Sequence, residues 1–372
     1  MKHNSNNERI KRKYTVFLKD AKGQSEATVD AIAMAINRFE TYINFKDFKQ
    51  FHHEQARGFK KHLAKQNNQQ TGKPLSKATI NSTLRNIKTF FQWLCMQAGY
   101  KSRLNYSEMD YFNPSAADTR IATAKRQRPI PTTEQVEHVI NSMANTTPIE
   151  RRNRALIAFT LLSGARDSAI ASMRIKHIDL VAEQVFQDAR EVKTKFSKTF
   201  TSDFFPVGDQ ITNIVIDWIN FLKNELKYGN DDPLFPKTVV VQNAKQEFEA
   251  SGLKRECWST ASPIRNIFKQ AFEAAGLDYF HPHSFRKTLV GLGERLCQTP
   301  EEFKGWSQNL GHDQVLTTFT SYGEVQPQRQ REIFERLKKP RKASDTTDAM
   351  DQLAEIMMEK MRTKDAGETS LK

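Results

Sequence analysis

No stretch of the sequence approaches the roughly 18 consecutive apolar residues that a membrane-spanning helix needs, so a helical membrane protein is excluded. A secretory leader is not expected either. The first twenty residues carry Lys2, Arg9, Lys11, Arg12, Lys13 and Lys19 with no apolar core behind them. Cysteine is scarce: Cys95, Cys257 and Cys297 are odd in number and far apart, which fits neither a disulfide framework nor a zinc site. With 15 Gly and 13 Pro in 372 residues, a fibrous or broadly disordered chain is also excluded. Missing too are GxxxxGK[ST], GxGxxG after a strand, HExxH and GxSxG, which removes the common nucleotide-binding, zinc-protease and nucleophile-elbow designs.

What the chain has in excess is positive charge. Its 57 Lys and Arg outnumber 43 Asp and Glu, giving a net charge of +14, while the charged fraction of 27% is ordinary. The imbalance is therefore one of sign, and it points to a soluble intracellular protein with a polyanionic partner, most simply nucleic acid. The 25 Phe supply aromatic bulk for packed cores. The length predicts two domains at about 150 residues each.

Residues 1–24 read as a polar, basic arm. From Ser25, Val29, Ile32, Ile36, Phe39 and Ile43 recur at helical steps, and Ala56, Phe59 and Leu63 mark a second helix. After a loop through Gly72 and Pro74, Ser76 is a good N-cap for a helix whose Ile80, Leu84, Ile87, Phe91 and Leu94 form one stripe. The outer face of that helix carries Lys77, Arg85 and Lys88, either a solvated face or a DNA-contacting one. Residues 25–113 are thus expected to be a small all-α domain. Residues 114–131, with Pro114, the basic cluster Lys125, Arg126 and Arg128, then Pro129 and Pro131, read as an interdomain linker.

The capping-box spacing of Thr132 and Gln135 opens a second domain, residues 132–340. Helices are expected over 151–162, 212–226 and 262–275, around short strands over 184–186, 191–195 and 199–207. The expected fold is mainly α with a small antiparallel β-sheet. In the tail, 341–372, Met350, Leu353, Met357 and Met361 share a helical face that serves either packing or a partner.

Four segments of the second domain carry the chemistry: Leu161-Leu162-Ser163-Gly164-Ala165-Arg166; Glu191-Val192-Lys193-Thr194-Lys195-Phe196-Ser197-Lys198; His281-Pro282-His283-Ser284-Phe285-Arg286; and Leu310-Gly311-His312 with Tyr322 ten residues on. Each alone is ordinary. An arginine past a helix end is usually a surface ion pair, a lysine-rich hairpin is usually solvated, and a lone tyrosine is usually packing. Metal ligation by His281, His283 and His312 lacks a fourth ligand and an acidic second shell.

In this order and spacing, however, the segments resemble the tyrosine recombinase (phage integrase) family over about residues 25–340. The resemblance implies a helical, SAM-like core-binding domain and an α+β catalytic domain, with Arg166 and Arg286 gripping the scissile phosphate, His283 and His312 as the histidine-type site residues, and Tyr322 as nucleophile. Lys195 is the best match for the hairpin lysine, Lys193 the second and Lys198 the third. The implied activity is site-specific cleavage and rejoining of double-stranded DNA through a 3′-phosphotyrosyl intermediate, with no cofactor, ATP or metal. A homotetramer on paired sites is implied, in the cytoplasm of a bacterial cell and associated with its nucleoid. Two readings stand beside it: type IB topoisomerase-like relaxation, and a non-catalytic DNA-binding regulator of the same fold. A metal-dependent nuclease is the weakest.

Four features depart from the family's usual pattern. Ala169 stands where many members have Glu, Lys287 follows the second arginine, the step from His312 to Tyr322 is one residue long, and no separate arm-binding domain is expected before Ser25. Tyr279 is the nearest rival nucleophile by position but precedes the histidine segment.

Overall fold

The computed structural model describes residues 3–69, 71–124, 129–242, 246–312 and Arg331. Tyr322, the basic cluster Lys125, Arg126 and Arg128, and the tail 341–372 lie outside the described residues. The chain divides into two compact units, residues 1–126 and 127–372.

The first unit is all helical: α1 (Ser5–Val16), α2 (Glu26–Tyr42), α3 (His53–Ala64), α4 (Lys77–Leu94) and α5 (Ala116–Thr123). As expected, Ser76 caps α4, its Oγ accepting from Thr79 N at 3.1 Å, and Ile80, Leu84, Ile87, Phe91 and Leu94 are buried along one face. The core is aromatic. Phe39 sits edge-on to Phe59, Phe91 and Phe112 at 5.1, 5.3 and 5.6 Å between ring centres, the tilted geometry that ring quadrupoles favour.

Two expectations fail here. The segment 1–24 is not a free arm but α1 and a π-type turn, Phe17–Ala21. Its Asn7, Ile10, Tyr14 and Leu18 recur at three- and four-residue steps and are buried, while Arg9, Arg12 and Lys13 face solvent, so the charges masked a sparse apolar stripe. Asn7 donates to the buried carboxylate of Glu40 at 2.9 Å, and the ammonium of Lys11 meets the same group at 2.5 Å. Burial of a charge requires such pairing. The second failure is the linker 114–131, which contains α5, capped by Ser115 through Asp118 N at 3.0 Å and packed along α4.

The second unit is α+β: α6 (Thr133–Ser142), α7 (Pro148–Ser163), α8 (Asp167–Ile170), β1 (Ile178–Asp179), β2 (Gln184–Gln187), β3 (Phe200–Asp203), α9 (Asp209–Asn220), β4 (Lys237–Gln242), β5 (Phe248–Lys254), α10 (Ser262–Ala274), α11 (Pro282–Leu296) and α12 (Pro300–Asn309). Thr132 and Gln135 form the expected capping box. Every residue of α7 from Ala155 to Ser163 is buried, so this helix is the hub against which α6, α9 and α11 pack.

Strands β1, β2 and β3 make one antiparallel sheet, with Ile178 opposite Val185 and Gln187 opposite Phe200. The strand expected over 191–195 is instead part of the long connection between β2 and β3, because the hydrogen-bond ladder ends at Gln187. The strand expected over 199–207 shortens to β3. Strands β4 and β5 form a separate antiparallel hairpin, bulged between Val239 and Val240, that was not expected.

The packed N-terminal helix makes a simple prediction. Tyr14→Ala deletes a ring that stacks within 5.1 Å of Phe90 and 4.7 Å of Trp93. It should destabilise the full-length protein by on the order of 3 kcal/mol in chemical denaturation. A free arm would give no change.

Candidate active site

The site in the second unit grows from three chain turns that meet around one guanidinium. At the first, α7 ends on Gly164, whose φ of 59° is left-handed. A Cβ there would stand 3.0 Å from Leu310 and 3.1 Å from both Leu289 and Phe205, so glycine is required for conformation and for space. Two residues later Arg166 occupies the position that opens α8.

At the second turn, α11 begins behind His281, whose Nδ1 accepts from the His283 amide at 3.2 Å, with Pro282 at the first helical position. His283 and Arg286 follow one helical turn apart and share a face. His283 lies at the exposed rim, whereas Arg286 is only 4% exposed.

The third turn follows α12, where Gly311 has φ 68° and a Cβ would come within 2.8 Å of the Phe200 ring on β3. Asn309 fastens this turn to the sheet, its Oδ1 accepting from Asp203 N at 2.7 Å and its Nδ2 donating to Asp203 O at 3.0 Å.

Arg286 joins all three. One terminal nitrogen donates to Gly164 O at 2.6 Å; the other donates to Leu310 O at 2.5 Å and stands 3.0 Å from His312 Nε2. A guanidinium has no acceptor, so Nε2 must accept and the neutral His312 ring carries its proton on Nδ1. The Nε of Arg286 is buried and has no hydrogen-bond partner among the described residues. Desolvation, and then repulsion from Arg166, lower this guanidinium's pKa to about 9, still high enough to keep it charged at neutral pH. The two arginines are thus close enough to feel one another. Desolvation and the positive charges of Arg286 and Arg166 push His283 down to about 4, which leaves its ring neutral at neutral pH.

Arg166, His283, Arg286 and His312 therefore form one positive cluster. The lysines behave differently from one another. Lys193 is tethered: its amide donates to Ser172 Oγ at 2.8 Å, just past α8, and its ammonium donates to Ser259 O at 2.9 Å. Lys195 is exposed on the connection, its ammonium 4.7 Å from the ring centre of Phe196, itself exposed and left-handed at φ 59°. Lys198 stands 5.9 Å from the Phe200 ring centre. Ser172 and Asn309 had no part in the sequence reading; single polar residues leave no motif.

Asp167, beside Arg166, pairs with Arg265 on α10 at 2.7 Å, while Ala169 is buried. Tyr279 lies near this pair, and burial raises its pKa. Among the described residues no group of three His, Cys, Asp or Glu is gathered to hold a metal ion, so the three histidines are not brought together as ligands.

In the first unit, Lys77 pairs with Asp118 of α5 at 2.6 Å. Lys88 pairs with Asp110 at 2.7 Å and donates to Asn113 Oδ1 at 3.0 Å. Arg85 lines a pocket of about 350 Å³ with Lys88, Leu84 and Phe112. Among the described residues no helix is long and apolar enough to cross a membrane.

The depressed His283 pKa fixes a pH dependence. The unfolded state binds a proton near the ordinary value of 6.5, and the folded state only near 4. Stability should therefore rise with pH across that window and level off above it. His177 and His281 are also lowered, by burial first. The contribution of His283 is thus the difference between the wild type and His283→Gln, whose urea-denaturation stability should fall less steeply as pH drops from 6.5 to 4.

Comparison with known proteins identifies the family. Residues 131–329 match the model of the phage integrase family, and residues 12–98 match the phage integrase N-terminal SAM-like domain. The tyrosine recombinase XerC of Lactobacillus delbrueckii subsp. bulgaricus is 21% identical over 257 residues, covering 67% of this chain and 72% of that protein. XerC of Escherichia coli O157:H7 is 24% identical over 254 residues, covering 66% and 70%.

Among solved structures, the XerH site-specific recombinase bound to a palindromic difH substrate matches with TM-score 0.58 at 17% identity, over 88% of this chain and 85% of that one. A lambda integrase dimer bound to a COC' core site matches with TM-score 0.57 at 13% identity, over 86% and 78%. At these identities the structural likeness speaks for the fold. The first family match spans more than half of the chain and all three turns that meet at Arg286. The chain therefore belongs to the phage integrase family and is a tyrosine recombinase, an enzyme that cleaves and rejoins DNA strands in site-specific recombination.

Proposed function

We propose that the cluster around Arg286 is the phosphate pocket of this recombinase and that Tyr322 is its nucleophile. One observation carries this reading: a charged, buried guanidinium stands beside a second arginine, and its Nε has no partner among the described residues. Burying such a group is costly unless an anion joins it. A pentacoordinate phosphorus gathers negative charge on its non-bridging oxygens, which Arg166 and Arg286 can bind with planar forks and without a metal. Through its Nδ1–H, His312 adds a further donor.

In the first step the Tyr322 oxygen bonds to phosphorus and its proton passes to neutral His283. The bond from phosphorus to the 5′-oxygen breaks, and that oxygen takes a proton from a lysine. The products are a 3′-phosphotyrosine and a 5′-hydroxyl. Attack by a 5′-hydroxyl of the partner duplex reverses every transfer, so the phosphodiester energy is kept and ATP is not consumed. Tyr322 follows the positioned His312 by ten residues and lies inside the family match.

For the acid we favour Lys193 over Lys195, the better match by sequence. Both side chains are exposed, but the backbone of Lys193 is held at Ser172, six residues past Arg166, whereas Lys195 leads into the left-handed Phe196 and Ser197. A proton donor has to be held within hydrogen-bond reach of the leaving oxygen.

The first unit, including α1 and α5, would form the core-binding domain, and residues 132–340 the catalytic domain. Lys77, Arg85, Lys88 and the cluster Lys125, Arg126 and Arg128 would contact DNA phosphates. The XerH and lambda integrase structures hold DNA recombination sites, and this chain would close on duplex DNA of its own site as a homotetramer on two sites, in the cytoplasm at the nucleoid.

Two substitutions test the chemistry. Tyr322→Phe should bind site DNA normally yet form no covalent adduct on a nicked suicide duplex; a surviving adduct would transfer the nucleophile's role elsewhere. Arg166→Lys should slow covalent-complex formation by about 10²-fold or more, the scale of losing one transition-state donor, and near-normal cleavage would remove Arg166 from the pocket.

A further inference from the structure

We infer that Glu191, gripped by His177 and Lys176, is a positioning residue that fixes the backbone of Lys193 so that its ammonium, here on Ser259 O at 2.9 Å, can turn to the leaving 5′-oxygen; this rests on Lys193 being the acid. Glu191 stands two residues before Lys193, on the connection between β2 and β3. Lys176 Nζ stands 2.9 Å from both of its carboxylate oxygens, and His177 Nε2 meets one of them at 3.2 Å. His177 Nδ1 accepts from the Arg174 amide at 2.9 Å, so Nε2 carries the proton and donates to Glu191. The ring itself is only 3% exposed, and it is a rigid anchor. Lys176 also pairs with Asp231 at 2.8 Å, and the backbone of Ile175 and Lys176 donates to Asp232 and Asn230, which ties the grip to a second loop.

Between the two residues, Val192 is buried in the core. The chain is therefore fixed on three successive residues: a carboxylate grip at 191, a core side chain at 192 and an amide bond to Ser172 at 193. Beyond Lys193 this fixing stops. Phe196 and Ser197 are exposed and left-handed. An exposed ion pair contributes little to stability, so the value of this one is directional. The phosphate cluster sits at the start of α8 and α11 and just past α12, and Glu191 bonds to none of its residues, so loosening Glu191 should spoil leaving-group protonation and leave phosphate binding in place.

The test uses the full chain in single-turnover cleavage of a nicked suicide duplex built on the site recovered from its covalent complexes. The scissile phosphate carries either the natural 5′-bridging oxygen or a bridging sulfur, whose thiolate leaves without an acid. Lys193→Ala should be slow with oxygen and restored with sulfur, which checks the underlying assignment. Glu191→Ala, which leaves the buried His177 Nε2–H without its acceptor, should melt somewhat below wild type yet stay folded at the assay temperature, cleave the oxygen substrate about 10- to 100-fold more slowly and match wild type with sulfur; Glu191→Gln, which keeps one acceptor, should fall between. Wild-type speed with oxygen, or equal slowing on both substrates, overturns the positioning role while Lys193 stands. Failure of sulfur to restore Lys193→Ala removes the acid and the inference with it.

Discussion

The catalytic unit is organised around a positive charge that the protein has hidden from water. Removing a guanidinium from solvent is costly, and Arg286 offsets that by donating to two backbone carbonyls, Gly164 O and Leu310 O. Those carbonyls belong to helix ends, where the last C=O groups have no intrahelical donor and the helix dipole is negative. One side chain thus completes two helix termini and holds the turns bearing Arg166 and His312 at a common point. The neighbouring residues follow from this junction. Gly164 and Gly311 are left-handed and pressed against Leu310, Leu289 and Phe200, so the turns close tightly enough for a single arginine to span them.

Much of this was legible because it is local. The stripe from Ile80 to Leu94, the caps at Ser76 and Thr132, and the order of Arg166, His283, Arg286 and His312 are all written in short windows. The illegible parts share a different property. Helix α1 carries so many lysines and arginines that its two buried apolar residues, Ile10 and Tyr14, vanished in the average. Strands β4 and β5 were missed although Val239, Val240 and Val241 favour strands, because an isolated hairpin leaves no alternation against a core. The rank of Lys193 against Lys195 depends on Ser172 and Ser259, partners 21 and 66 residues away. Spacing cannot encode such contacts. Nor does it reveal that Asp167 is engaged by Arg265 from α10.

The two units solve stability in different ways. The first relies on interlocked aromatic rings around Phe39 and Phe91, the second on the buried stretch Ala155–Ser163 of α7. Each buries a charged side chain against partners: Glu40 with Asn7 and Lys11, and Arg152 with Pro236 O at 2.8 Å and Thr238 Oγ1 at 2.9 Å.

The ion pairs on the outer face of α4 carry one further consequence. Lys77 and Lys88 are already neutralised by Asp118 and Asp110. Any phosphate that takes over either ammonium must expel a carboxylate, which then repels the incoming strand or swings into solvent. Fewer condensed cations are then liberated per contact than bare lysines would release, so the slope of log affinity against log salt undercounts the lysines on that face. On the proposed DNA contacts, aspartate here would compete with nucleic acid for these ammoniums, favouring duplexes that also satisfy the rest of the surface.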